Sequence, residues 1–97
     1  MATMPQIPLA LPAVMDLDAL DGVRDGLLTA MEQGPVVVSG AAVERISTNG
    51  LLLLLSAAET ARASGSGLTI ETASKALHIA IERLGFEQRF SDLMRGE

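Results

Sequence analysis

Short apolar runs alternate with longer segments of helical spacing, and this alternation limits the possible folds more than any other feature of the chain. Val36 to Ser39 is an almost unbroken β-branched run, which is typical of a buried strand. The leucines that follow Gly50, and the alanines after them, are strong helix formers. Strands that alternate with helices through right-handed crossovers predict an α/β architecture with some parallel pairing.

Capping and stop residues set the limits of the predicted elements. Asp16 can cap the first helix, and Gly34 followed by Pro35 ends it. Pro8 and Pro12 predict that the first strand is an edge strand or a short strand end, because proline cannot donate to a ladder. The predicted strands are 7–11, 36–39 and 68–71, the predicted helices are 16–31, 50–64 and 74–84, a polar connection covers 40–49, and the tail 86–97 forms a last strand or a short helix.

The composition excludes several classes of protein. A chain of 97 residues has room for one domain, which we expect to span 1–97. Seven basic and twelve acidic residues give a net charge of -5, which leaves no basic surface for nucleic acid. The absence of cysteine removes disulfides and thiolate chemistry, and it fits a reducing cytoplasm. The most apolar run, Leu51 to Leu55, is far shorter than the ~18 residues of a membrane span, so we expect a cytoplasmic protein without direct membrane insertion.

No group of residues in the sequence predicts catalysis. His78 is the sole histidine, it lies at the border of a predicted buried helix face, and no serine is aligned with it. Four aspartates lie near the start of the first helix, at Asp16, Asp18, Asp21 and Asp25. Their spacing predicts a solvated face rather than a metal site. We therefore expect no enzyme activity, no catalytic residue, no metal and no cofactor.

The segment before the leucine-rich helix carries the strongest functional signal. Ser47, Thr48 and Asn49 precede that helix, and capping by Thr48 or Asn49 explains only one of these three polar residues. Five consecutive leucines, at about 100° each, point around the whole helix, so at least one of them points away from the sheet. Either neighbouring elements cover that leucine or it is exposed to a partner. A hydroxyl beside an apolar helix face is the arrangement of a phosphorylation switch, because phosphate adds about -1.5 to -2 charge at the edge of a contact.

This segment resembles the STAS domain motif, which is usually Asp-Ser/Thr-x-Gly-Leu. The matching residues are Ser47, Thr48, Asn49, Gly50 and Leu51, with serine at the usual aspartate position. The order of the flanking segments matches as well, so the resemblance covers about residues 7–86. It implies a small mixed β-sheet of about four strands with helices packed mainly on one side, and a domain without catalysis of its own.

The resemblance also implies a partner and a switch. Stand-alone STAS proteins are similar to anti-sigma factor antagonists, in which a GHKL-type anti-sigma kinase phosphorylates the motif Ser/Thr and the unmodified form binds that kinase. The acceptor position falls on Thr48, with Ser47 as the second choice. The implied partner surface is the motif and the helix after it: Ser47, Thr48, Asn49, Gly50, Leu51, Leu52 and Leu55. The alternative is a constitutive subunit that binds an ABC ATPase, similar to the small component of bacterial phospholipid-transport complexes, without phospho-switching.

Overall fold

The computed structural model describes residues 6–95 of the chain. In chain order the elements are β1 (Ile7–Ala10), β2 (Val14–Met15), α1 (Leu17–Gln33), β3 (Val36–Ser39), β4 (Arg45–Ile46), α2 (Thr48–Ala63), β5 (Leu68–Glu71), α3 (Lys75–Arg83), α4 (Glu87–Ser91) and β6 (Met94–Arg95). The predicted strands at 36–39 and 68–71 are present with these limits, and the predicted helices match α1, α2 and α3 within a few residues. The tail, for which a strand and a short helix were both open, contains α4 followed by β6.

The main sheet has the strand order β1-β3-β5-β6. Ile7 of β1 is paired with Val36 of β3, which is paired in turn with Leu68 of β5. The α/β class, the sheet of four strands and the edge position of β1 are confirmed. The pairing is parallel throughout the described residues rather than mixed. Each connection between neighbouring strands of this sheet passes through a helix. The helix brings the chain back to the end of the sheet at which the previous strand began, so successive strands run in one direction.

The helices cover one face of the main sheet. Val36 and Val38 belong to the hydrophobic core together with Leu51 and Leu54 of α2. Val37 lies between Val36 and Val38 in β3, so its side chain points to the opposite face of the sheet. It is not part of that core. Helix α1 packs on β1, α2 packs on β5, and the two helices pack on each other. This arrangement confirms the expected packing of helices mainly on one side.

A second sheet, which the sequence did not predict, consists of the short strands β2 and β4 paired in parallel. The Glu44 N–H donates to the Ala13 carbonyl at 2.7 Å, and the Ser47 N–H donates to the Met15 carbonyl at 3.0 Å. Residues 40–49, predicted as a polar connection, therefore contain a strand. Its pairing with β2 fixes the position of Ser47.

Helix α3 packs against β4 and has a defined start and end. Ser74 is its N-cap: the Oγ atom accepts a hydrogen bond from the Leu77 N–H at 3.1 Å and donates one to the Val43 carbonyl at 2.6 Å. Gly85, with φ +71°, terminates α3 as predicted. In the sequence, helical spacing predicts an inward face made of Leu77, Ala80, Ile81 and Leu84. Leu84 departs from it, because it follows the last helical residue and is 41 % exposed.

Candidate functional site

Ser47 is the residue that caps α2, which corrects the expectation that Thr48 or Asn49 does so. The Gly50 N–H donates to Ser47 Oγ at 3.1 Å. Ser47 has the extended backbone of an N-cap, with φ -79° and ψ 165°. Its own N–H is bound to the carbonyl of Met15 in β2. The pairing of β2 with β4 therefore determines where α2 begins, and the helix begins at Thr48.

Thr48 is consequently the first helical residue, and it is exposed, as is Asn49 after it. Within residues 6–95 the Thr48 hydroxyl has no hydrogen-bond partner. The Ser47 hydroxyl, in contrast, is half-buried and already accepts the Gly50 N–H. Accessibility to a second protein therefore favours Thr48 over Ser47.

Gly50, the glycine of the motif, is buried against β2 and β4. A Cβ atom at this position would lie 2.7 Å from Cγ1 of Ile46 and 3.3 Å from the carbonyl oxygen of Met15. A separation of 2.7 Å is too short for two carbon atoms, so no side chain fits here without displacement of Ile46. Gly50 thus allows α2 to start close to the small sheet, and it does not lie on the surface that a partner reaches.

The five leucines of α2 divide between the core and the surface. Leu51 and Leu54 are 0 % exposed, Leu53 and Leu55 are half-buried, and Leu52 is 42 % exposed. Leu51, expected as a partner contact, lies in the core and cannot touch a partner in this conformation. Leu55 lines a different groove, between the later turns of α2 and α4. Of these leucines, Leu52 remains as the exposed apolar side chain near Thr48.

A groove of about 620 Å³, here called the motif groove, joins the start of α2 to α3. Thr48 of α2 and its N-cap Ser47 line one part of the groove, and Ile79 of α3 and Leu84, which directly follows α3, line another part. Ile79 is 37 % exposed, so α3 presents large apolar side chains in the same groove as the Thr48 hydroxyl. Four charged residues of both signs also line the motif groove: Asp16, Glu44, Arg45 and Arg83.

Sequence reasoning did not identify the α3 side of the motif groove. Ile79 carries the signal that could have done so, because it is a large apolar residue outside the predicted inward face of its helix. Leu84 gave a misleading signal, since its helical spacing assigns it to the core while the helix ends one residue before it.

The remaining sequence candidates are placed largely as expected. His78 is half-buried at the border of the buried face of α3. All four aspartates are exposed, and Oδ1 of Asp16 caps α1 by accepting the Ala19 N–H at 3.3 Å.

Among the described residues no group of three or more His, Cys, Asp or Glu side chains could hold a metal ion. In the same part of the chain, no helix has both the length and the apolar character needed to cross a bilayer.

The fold and the groove define a small parallel α/β domain with an accessible hydroxyl beside an apolar surface. The chain belongs to the STAS domain family, since the family model described as "Mlab, STAS domain" matches residues 4–95. STAS domains are generally non-catalytic interaction domains. Among solved structures, the chain is similar in fold to a sulfate transporter family protein from Wolinella succinogenes, with a TM-score of 0.67 and 18 % identity over 96 % of this chain and 80 % of that one. No curated protein matches the sequence significantly.

Proposed function

We propose that this chain is a non-catalytic cytoplasmic interaction domain, similar to an anti-sigma factor antagonist, that is switched by phosphorylation of Thr48. The partner is a GHKL-type anti-sigma kinase or another signalling kinase, which binds at the motif groove. One observation carries the proposal: the exposed Thr48 hydroxyl lines the same groove as the exposed side chains of Ile79 and Leu84. The apolar side chains supply affinity for a protein partner, and the hydroxyl supplies the point of control.

A phosphate on Thr48 is expected to act on binding rather than on folding. Thr48 is exposed at the first position of α2, where the helix dipole favours an anion, so the domain keeps its fold after modification. In an interface the same charge must lose its water against Ile79 and Leu84, or it repels acidic groups of the partner. The unmodified domain therefore binds the kinase, and the phosphorylated domain does not.

Binding is tested with Thr48→Glu, measured by calorimetric titration against the cognate kinase. We expect the affinity to fall about tenfold or more, which corresponds to about 1.4 kcal/mol. The thermal unfolding midpoint should stay close to that of the wild type. Thr29→Glu is the matched control, because Thr29 is exposed on α1 and does not line the motif groove. A large loss of stability together with normal binding would refute the proposal.

Phosphorylation itself is tested with Thr48→Ala. After incubation with the kinase and ATP, the wild type should gain the mass of one phosphate, whereas Thr48→Ala should gain none and still bind the kinase. We expect no modification of Ser47, because its half-buried hydroxyl is engaged as the cap of α2. Phosphate found on the Thr48→Ala chain would show that Thr48 is not the sole acceptor.

A constitutive subunit that binds an ABC ATPase is the second candidate function. Two observations favour it: the matching family is described as "Mlab, STAS domain", not as an anti-sigma factor antagonist, and Ser47 replaces the aspartate of the usual motif. In this case the motif groove binds the ATPase subunit and Thr48 is never modified. A pulldown separates the two functions. A GHKL-type kinase with an ATP-dependent mass shift supports the first, and an ABC ATPase without that shift supports the second.

A further inference from the structure

Two arginines line the motif groove together with Thr48. Thr48 begins α2, Arg45 belongs to β4, and Arg83 is the last residue of α3. Both arginines are exposed. Within residues 6–95 neither of them forms an ion pair, although Asp16 and Glu44 line the same groove. The groove therefore holds two guanidinium groups whose charges have no carboxylate partner in the described part of the chain.

We propose that a phosphate on Thr48 is bound within the same domain by Arg45 and Arg83, and that this contact closes the motif groove. The inference rests on the proposed phosphorylation of Thr48. A phosphothreonine carries about -1.5 to -2 charge and three acceptor oxygens. A guanidinium is planar and presents paired N–H donors that match phosphate oxygens. The unmodified hydroxyl offers no charge, so the arginines acquire their partner only after modification.

The modification joins two elements that both line the motif groove, α2 and α3. In the transfer step Oγ1 of Thr48 forms a bond to the γ-phosphorus of ATP and the bond from that phosphorus to the bridging oxygen breaks. The hydroxyl proton passes to a base of the kinase, and ADP leaves. The new phosphate then links the start of α2 to the end of α3. Ile79 lies one turn before Arg83, and Leu84 directly follows it. A partner that needs these apolar side chains must separate or bury an ion-paired phosphate, which is costly.

Phosphothreonine installed at position 48 during translation tests the inference without a kinase or a partner. Phosphorus NMR follows the second protonation of the phosphate, which has a pKa of about 6 in a free phosphate monoester. Positive charges favour the dianion, so the pKa falls, and we expect the proton affinity of the phosphate to decrease about tenfold or more. Arg45→Gln and Arg83→Gln should each reverse part of this decrease, and the double variant should reverse more of it than either single variant, leaving only the part due to the N-terminus of α2.

Arg62→Gln is the matched control. It removes the same charge from α2, but at a point about four turns, or about 20 Å, further along the helix than Thr48. Its phosphate should titrate like that of the unsubstituted phosphorylated chain. The inference is overturned if the unsubstituted chain titrates at the free value, or if Arg45→Gln and Arg83→Gln leave the pKa unchanged. Either result removes only the contact within the domain, because kinase binding and transfer to Thr48 are measured separately.

Discussion

Substitution of Gly50 by alanine tests whether direct contact with the small sheet fixes the start of α2. The added Cβ would lie 2.7 Å from Cγ1 of Ile46 and 3.3 Å from the carbonyl oxygen of Met15. The Met15 oxygen belongs to the backbone of β2 and accepts the Ser47 N–H, so it cannot move without disturbing the cap. The side chain of Ile46 is stiff at χ1 because it is β-branched. An extra carbon in packing of this kind costs about 1–3 kcal/mol.

Helix propensity acts in the opposite direction, because alanine stabilises a helix relative to glycine. The same substitution at Gly22 measures this gain without a steric contact. Gly22 lies inside α1, where an added Cβ would have no atom within 4 Å. Gly22→Ala should therefore raise the free energy of unfolding by about 1 kcal/mol. If the same gain applies at Gly50, Gly50→Ala should lower the free energy of unfolding by about 0–2 kcal/mol. The two variants should differ by about 1–3 kcal/mol, which is the cost of the steric contact alone.

Urea denaturation followed by far-ultraviolet circular dichroism measures both free energies. In a domain of this size 1 kcal/mol shifts the thermal midpoint by about 4–8 °C, so the difference also appears in thermal unfolding. The slopes of the two urea curves should agree, because neither alanine changes the surface exposed on unfolding. If Gly50→Ala proves as stable as Gly22→Ala, the contact with Ile46 does not position α2, and the reasoning is refuted.

Three further predictions concern residues around the motif. Ser47→Ala should lower the free energy of unfolding by about 1 kcal/mol in urea denaturation, whereas Ser47→Asp keeps a capping oxygen and should stay close to the wild type. In the same assay Leu51→Ala should cost about 2–5 kcal/mol because Leu51 is in the core, and Leu52→Ala less than about 0.5 kcal/mol; equal losses would contradict the assignment of the two faces. Thr72, with φ +55°, is a β-branched residue in a left-handed conformation, which asparagine adopts more readily. Thr72→Asn should therefore increase the free energy of unfolding by about 0.5–1 kcal/mol and raise the thermal midpoint accordingly.

The elements that local chemistry determines were predictable from the sequence. Asp16 caps α1, and Gly34 with Pro35 ends it, because both signals act within one turn of the helix. Gly85 ends α3 for the same reason. The run from Val36 to Ser39 forms a strand, and it was predictable because β-branched residues favour strands whatever the neighbouring strand is.

The small sheet was not predictable by the same means. Strands β2 and β4 have two residues each and are separated by α1 and β3 in the chain, so no local periodicity marks them. The error at the cap of α2 follows from this gap. Ser47, Thr48 and Asn49 can all cap a helix, and only the hydrogen bond from the Ser47 N–H to β2 selects Ser47. Because Ser47 is the cap, the Thr48 hydroxyl is exposed and is not used to cap α2.

The leucine run shows why the partner surface could not be located on α2 alone. The buried residues of α2 lie on one face at helical spacing: Leu51, Leu54, Ala57 and Ala61. This spacing is visible in the sequence and could have shown that Leu51 is in the core. The exposed apolar surface near Thr48 comes instead largely from α3. Helix α3 packs on β4, and α2 begins directly after β4, so a two-residue strand places the hydroxyl beside the groove. The motif therefore predicts the acceptor residue, whereas the groove depends on a tertiary pairing that has no signal in the sequence.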